Sequence, residues 1–252
     1  MKTPTIALIL ISIAGSLHAE DQLDGTAIFA RVKEKYSTCK TFSCTGTYLQ
    51  TRDTSLAKQD ERSFLIRFGR SDLIRVDWTQ SKFMRPGKET SSIYTEDGKI
   101  FSYSATLGGP KPYPSVSKAI GVEAGVSGGI SYLIPPLLLG EAGYLAHWTI
   151  TRGADSSVTG VDCYTVSLET KGFGIYTFDV AKEDFSILRA TQDSDASVLN
   201  AQRERARKEN PAWFNDPPGT PKPSISSKTV VEFHDMKFDA SIPTEEFNYT
   251  KK

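Results

Sequence analysis

Period-two alternation dominates the first half of the chain. Between Arg62 and Tyr103, apolar and polar positions alternate in runs broken by turn residues. Phe64, Ile66 and Phe68 share a face, Gly69-Arg70-Ser71-Asp72 interrupts, and Ile74, Val76 and Trp78 resume the pattern. Ile93-Tyr94-Thr95 then turns at Asp97-Gly98 and returns as Ile100-Phe101-Ser102-Tyr103. Asp-Gly between two alternating runs is a strong hairpin signal, because the favoured two-residue turn needs positive φ at both positions. The pattern predicts an antiparallel meander with one large apolar face that another element must cover.

The flanking segments supply candidates for that cover. Asp24 to Tyr36 reads as an amphipathic helix with Ile28, Val32 and Tyr36 on one stripe, Phe29 beside it, and Asp24 or Thr26 as its cap. Thr41 to Thr51 follows as a strand with Phe42, Cys44, Gly46 and Tyr48 on one face. Residues 104–118 are rich in Gly and Pro and read as a crossing loop. Residues 116–145 hold the most apolar run after the leader, Ile130 to Leu139, which Pro135-Pro136 must interrupt; short broken helices lying on a sheet face are predicted. Strands resume at His147 to Thr151, Asp162 to Thr170, Gly174 to Val180, Ser186 to Gln192 and Thr229 to Phe238. The last two are separated by residues 193–227, a polar, arginine-bearing stretch and then a proline-rich one holding Trp213-Phe214. A connection of that length between strands is uncommon in a compact domain.

The chain of 252 residues opens with Lys2, an apolar run from Thr5 to Ala14, and Ser16-Leu17-His18-Ala19. This is the form of a secretory leader, residues 1–19, cleaved after Ala19 and too short to serve as a stable membrane span. The remainder, residues 20–252, is expected to be one domain with a periplasmic location. Formal net charge is zero, and the leader removes only Lys2 among charged residues. Such a balance offers nothing to nucleic acid or an anionic membrane surface.

Candidate chemistry is sparse. The G-x-S-x-G spelling at Gly125-Val126-Ser127-Gly128-Gly129 falls within the predicted broken helices and not at a strand-to-helix turn, so it is no nucleophile elbow, and the glycines of 116–145 lack phosphate-loop spacing. His147 and His234 stand in separate strands, and no C-x-x-C pair exists, so no metal site or cofactor is expected. Of the three cysteines, Cys39 and Cys44 flank a short loop and form a candidate disulfide in an exported chain; the alternative is three buried small apolar residues. The enzyme reading therefore has no motif behind it. An apolar sheet face under a Gly/Pro-broken segment is either plain core or a hydrophobic pocket.

Several local motifs, in order, resemble the LolA-like superfamily, which includes the periplasmic lipoprotein carrier LolA, the N-terminal domain of RseB, and uncharacterised periplasmic members to which the likeness is closest. The opening helix ends at Tyr36. Arg70-Ser71-Asp72-Leu73-Ile74-Arg75 resembles the family's Arg-Pro turn, with Ser71 where proline is usual. Asp97-Gly98-Lys99 precedes an aromatic strand, Gly160-Val161-Asp162-Cys163-Tyr164 resembles a Gly-x-x-Cys strand, and Phe178 to Arg189 resembles a strand, short turn and strand. Ile242-Pro243 with Phe247 and Tyr249 resembles a terminal strand. The resemblance implies a mainly β fold with an α lid: a curved antiparallel sheet, an unclosed barrel, around a hydrophobic cavity. It implies non-catalytic binding of a lipid, an acyl chain or an acylated protein. Its candidate wall residues are Phe64, Ile66 and Phe68, then Ile74, Val76 and Trp78, with Tyr132, Ile134, Leu137 and Leu138 from the lid, and Arg70 as the lid's latch. The alternative is an envelope sensor or scaffold that engages a protein partner through 193–227.

Overall fold

The computed structural model describes residues 23–52, 59–79, 90–104, 108–141, 148–170, 174–194 and 226–249, with 197, 204 and 208. The leader, His147 and most of the 193–227 segment lie outside the described residues. So do residues 142–145 of the lid.

Asp24 starts the first helix, α1 (Gly25–Thr38), by accepting a hydrogen bond from the Ala27 amide at 2.7 Å. Its buried stripe is Ile28, Phe29, Val32 and Tyr36. Strands β1 (Thr41–Arg52), β2 (Gln59–Gly69), β3 (Leu73–Thr79), β4 (Thr90–Glu96) and β5 (Lys99–Ser104) then form the meander that the alternation predicts. The Asp97-Gly98 turn has φ of 50° and 70°, as a hairpin of this type requires. The 104–118 segment departs from the loop expectation, because Gly108–Tyr113 pairs with β5 as β6. An edge strand uses only one side of its hydrogen-bonding ladder, so Pro110 and Pro112 are tolerated there.

Three short helices follow, α2 (Val116–Ser127), α3 (Ile130–Leu133) and α4 (Pro135–Leu138). Proline at the first position of α4 breaks it from α3. Strands β7 (Thr149–Arg152), β8 (Ser156–Val158), β9 (Val161–Thr170), β10 (Gly174–Ala181), β11 (Ile187–Ser194) and β12 (Ser227–Phe238) complete the sheet. The three-residue β8, which pairs with β9, carries too little alternation to be read from sequence.

All strands join one antiparallel sheet in the order β6-β5-β4-β3-β2-β1-β12-β11-β10-β9-β7, with β8 on β9. β6 and β7 are its two edges, so the barrel stays open. The start of α1 packs on the β7 edge so closely that a Cβ on Gly25 would stand 2.6 Å from the Thr151 carbonyl carbon. That approach covers an edge that would otherwise offer free backbone groups. The core joins Ile28, Val32 and Tyr36 of α1 to the inner faces of both halves of the sheet and to α2, α3 and α4. Tyr36 anchors the arrangement: its hydroxyl accepts from the Ile187 amide at 3.1 Å, and its ring lies 5.5 Å from that of Phe42.

The segment expected to be a terminal strand is instead a single 3-10 turn, Thr244–Phe247. It lies on the outer face, held by charged donors that leave no ladder to join. Arg75 Nη1 donates to the Asn248 carbonyl at 2.6 Å, and Arg67 pairs with Glu246 at 2.7 Å. Phe247 is buried, and Tyr249 stacks on Tyr94 at 5.1 Å. Among the described residues no helix is long and apolar enough to cross a membrane.

Candidate functional site

Cross-strand pairing lays the inner face of the sheet out in rows. One row runs Arg62, Tyr48, Val231, Ala190, Phe178 and Val166, from β2 to β9. The next runs Asp60, Gln50, Thr229, Gln192 and Tyr176. Where these rows cross β10, β11 and β12, the side chains leave space open under the lid. A cavity of about 310 Å³ results, floored by Val231, Ala190 and Phe178. Thr229, Gln192 and Tyr176 line it from the second row, and Trp148 closes one side with its ring 5.4 Å from that of Tyr176.

The lid contributes Ala124 from α2, Tyr132 and Leu133 from α3, and the Gly128-Gly129 turn between those helices. Both glycines have positive φ, 71° and 90°. Gly128 caps α2 in the left-handed conformation, and a Cβ there would press on the Tyr48 ring at 3.0 Å. Ser127 and Ser131 brace the turn, their hydroxyls 3.1 Å apart and Ser131 Oγ donating to the Ile120 carbonyl. Buried Glu123 ties α2 to the sheet, accepting from Ser102 Oγ and Tyr113 Oη at 2.8 Å each.

Two arginines of one strand segment hold carbonyls at opposite ends of the lid. Arg70, just after β2, donates from Nη1 to the Leu138 carbonyl at 3.0 Å and from Nε to the Cys39 carbonyl at 2.8 Å. Its Nη2 donates to the Ser37 carbonyl, so one guanidinium joins α4 to the end of α1. Arg62, within β2, donates from Nη1 to the Val126 carbonyl at 2.8 Å. Arg62 also pairs with Asp60 at 2.7 Å, and both side chains are more than nine-tenths buried.

Of the ten residues proposed from sequence for the wall and lid, Tyr132 lies on this cavity. Phe64, Ile66, Phe68, Ile74, Val76 and Trp78 are buried in the packed part of the core, and Ile134, Leu137 and Leu138 pack above them. The cavity belongs to the other half of the sheet. Phe178, Tyr176, Ala190, Thr229 and Val231 are not among the sequence candidates, because hydrophobic pattern does not register missing volume.

The cysteine pair is not bridged. Cys39, Cys44 and Cys163 are all free and buried. Burial pushes each thiol up from its ordinary pKa, which keeps it protonated and unreactive at neutral pH. His234 is exposed on β12, opposite Thr45. Among the described residues no group of three His, Cys, Asp or Glu is placed to hold a metal ion.

No protein-family model and no curated protein matches the sequence. Solved structures are similar in chain path. One is a LolA superfamily protein from Nitrosomonas europaea, at 12% identity and a TM-score of 0.35, covering 90% of this chain and 98% of that one. Another is the Pseudomonas aeruginosa MucA/MucB complex, at 12% identity and 0.44, covering 92% of this chain but 61% of that one. An uncharacterized conserved protein from Thermus thermophilus matches at 12% and 0.44, covering 90% and 94%. These likenesses concern fold alone. The open antiparallel sheet curled over an inner layer of helices is the mainly β architecture with an α lid that the sequence motifs imply.

Proposed function

We propose that this chain is an exported, non-catalytic binding protein that holds a lipid or acyl chain, free or attached to a protein, in the cavity beneath its helical lid. The cavity carries the reading. Its 310 Å³ fall within the range of small-molecule sites, and its lining is mainly apolar and aromatic with a few polar groups at one side. It lies under the Gly128-Gly129 turn, the most permissive backbone of the lid. Arg70 serves as the latch, its guanidinium bridging the Leu138 carbonyl of α4 and the Ser37 and Cys39 carbonyls at the end of α1. The leader read from sequence supports a periplasmic site of action.

The test is to express the chain with its leader, purify it from the periplasm without detergent, and analyse the organic extract by mass spectrometry. Binding of the neutral apolar dye N-phenyl-1-naphthylamine is measured in parallel. The expected result is one acyl-bearing species retained per chain and saturable dye fluorescence. Repeated recovery of lipid-free protein that also leaves the dye unbound would overturn the proposal.

A further inference from the structure

The two arginines that fasten the lid are not equivalent. Arg70 directs Nε, Nη1 and Nη2 to three main-chain carbonyls, and no carboxylate pairs with it among the described residues. Arg62 is divided between the lid and a carboxylate. Its Nη1 donates to the Val126 carbonyl at 2.8 Å, while Nε and Nη2 donate to Asp60 at 3.1 and 2.7 Å. Both bonds to Asp60 converge on one oxygen, Oδ2. The other, Oδ1, is buried and has no hydrogen-bond partner among the described residues. A guanidinium and a carboxylate pair best as a parallel fork, one oxygen to each of two N–H groups. Arg62 stands short of that fork while Nη1 reaches the lid. A buried carboxylate oxygen left unpaired is costly, so a second acceptor lies ready beside the one in use.

What Arg62 holds is the wall of the cavity. Val126 lies two residues before Gly128, and Gly128 and Gly129 both line the cavity. Arg62 and Tyr48 are cross-strand neighbours, and the guanidinium lies over the Tyr48 ring, 5.0 Å from its centroid. Gly128 sits against the same ring, where a Cβ would fall 3.0 Å from Cζ and Oη. The corner between α2 and α3 therefore rests on the residue that Arg62 covers. Two backbone bonds span that corner, from the Gly129 amide to the Ala124 carbonyl and from the Tyr132 amide to the Gly129 carbonyl, each 2.8 Å. Glu123 ties α2 to the sheet independently, through Ser102 and Tyr113. Release of Arg62 thus frees the corner rather than the whole helix, and its two glycines supply the pivot.

We infer that Arg62 and Asp60 form a reversible clasp that regulates access to the cavity. With the lid closed, Arg62 bridges Asp60 and the Val126 carbonyl. As the corner lifts, Arg62 turns onto both oxygens of Asp60, and the bond given up at the lid is replaced within the pair. Asp60 Oδ1 thereby lowers the cost of opening at this end, while Arg70 keeps the α4 end closed. Both members of the pair are positioning residues, since neither lines the cavity. The inference rests on the binding reading above and adds the regulation of that site.

The experiment has a readout that needs no ligand. Hydrogen exchange of the mature chain, followed by mass spectrometry, reports opening of residues 124–133. Stopped-flow release of N-phenyl-1-naphthylamine reports its consequence for the cavity. Asp60→Asn keeps the size of the side chain but replaces one oxygen by an amide nitrogen, which cannot accept from Arg62. Exchange of 124–133 and dye release are each expected to slow about tenfold, with exchange of 135–140 unchanged. A merely structural ion pair predicts the reverse, because an uncompensated Arg62 would loosen the lid. Arg62→Met combined with Asp60→Leu replaces the clasp by an apolar pair, a change buried ion pairs often tolerate. Its exchange in 124–133 should match or exceed the wild-type rate. Should Asp60→Asn fail to fold, this double variant decides alone. Exchange of 124–133 that is unchanged or faster in folded Asp60→Asn, or slower than wild type in the folded double variant, would overturn the clasp. Slowed exchange with unchanged dye release would overturn its control of the cavity while the binding reading stands. Failure of the wild-type chain to bind the dye would remove the binding reading, and the exchange rates would still decide the clasp.

Discussion

Filling the cavity from its floor is the sharpest perturbation the structure allows. Ala190 lies on β11 between Val231 and Phe178, is 2% exposed, and borders the empty space directly. Ala190→Leu adds three carbon atoms into that space without altering the strand ladder. Each buried methylene contributes about 0.8 kcal/mol, so three positions denied to an acyl chain cost the complex about 2.4 kcal/mol. With 1.4 kcal/mol per tenfold, that is a loss of about fiftyfold in affinity. The same carbons fill a void in the free protein, so its stability should hold or rise. The assay is a dye titration with lipid displacement, paired with a urea unfolding curve. Unchanged affinity in a variant whose unfolding midpoint is also unchanged would refute the reasoning, because the ligand would then not be using the space above Ala190.

Other expectations follow from the same geometry. Arg70→Leu leaves the Ser37, Cys39 and Leu138 carbonyls without their donor. Because the site is partly solvated, the loss in urea-unfolding stability should be about 2 kcal/mol, with faster dye release in stopped flow; Arg70→Lys, lacking the planar fork, should recover only part. Ser71 has φ of 71° and Asp72 of 61°, so Ser71→Gly should raise stability by up to ~1 kcal/mol, whereas Ser71→Pro, which forces φ near −65°, should lower it by at least ~2 kcal/mol. Lys35 Nζ contacts Asp184 Oδ2 at 2.6 Å, linking α1 to the β10–β11 turn. Burial pushes that carboxyl up, but hydrogen bonds from Lys35 and Ser186 outweigh it and hold the pKa below the ordinary carboxylate value. A depressed folded-state pKa gives stability that is present above the unfolded value, near 4, and lost as pH falls through the folded one. Melts of Asp184→Asn should accordingly fall less steeply than wild type below about pH 4.

The elements legible in the sequence were those with a local physical cause. Stripe and cap together define α1, because Ile28, Val32 and Tyr36 must face one way and Asp24 must end the chain's extended approach. The Asp97-Gly98 hairpin was legible because few residues other than Asp, Asn and Gly accept its positive φ. Ser71 was read as a departure from a family turn, and the structure gives the reason: proline cannot take the left-handed conformation found there. The elements that escaped have non-local causes. β6 is a strand only because β5 offers it an edge, and the Thr244–Phe247 turn follows from outer-face arginines on β2 and β3. The cavity is the furthest from local pattern. Large residues such as Phe64 and Trp78 mark where the core is full, whereas Ala190 of β11, and Ala124 and the glycine pair of the lid, leave room outside the meander.

A crystal structure of the mature chain soaked with a monoacylglycerol brominated near the chain terminus tests the central claim most directly. The account predicts anomalous bromine signal under the Gly128-Gly129 turn, above Ala190 and between Phe178 and Val231. Bromine confined to the outer face, or packed side chains with no ligand in that space at saturating lipid, would contradict it.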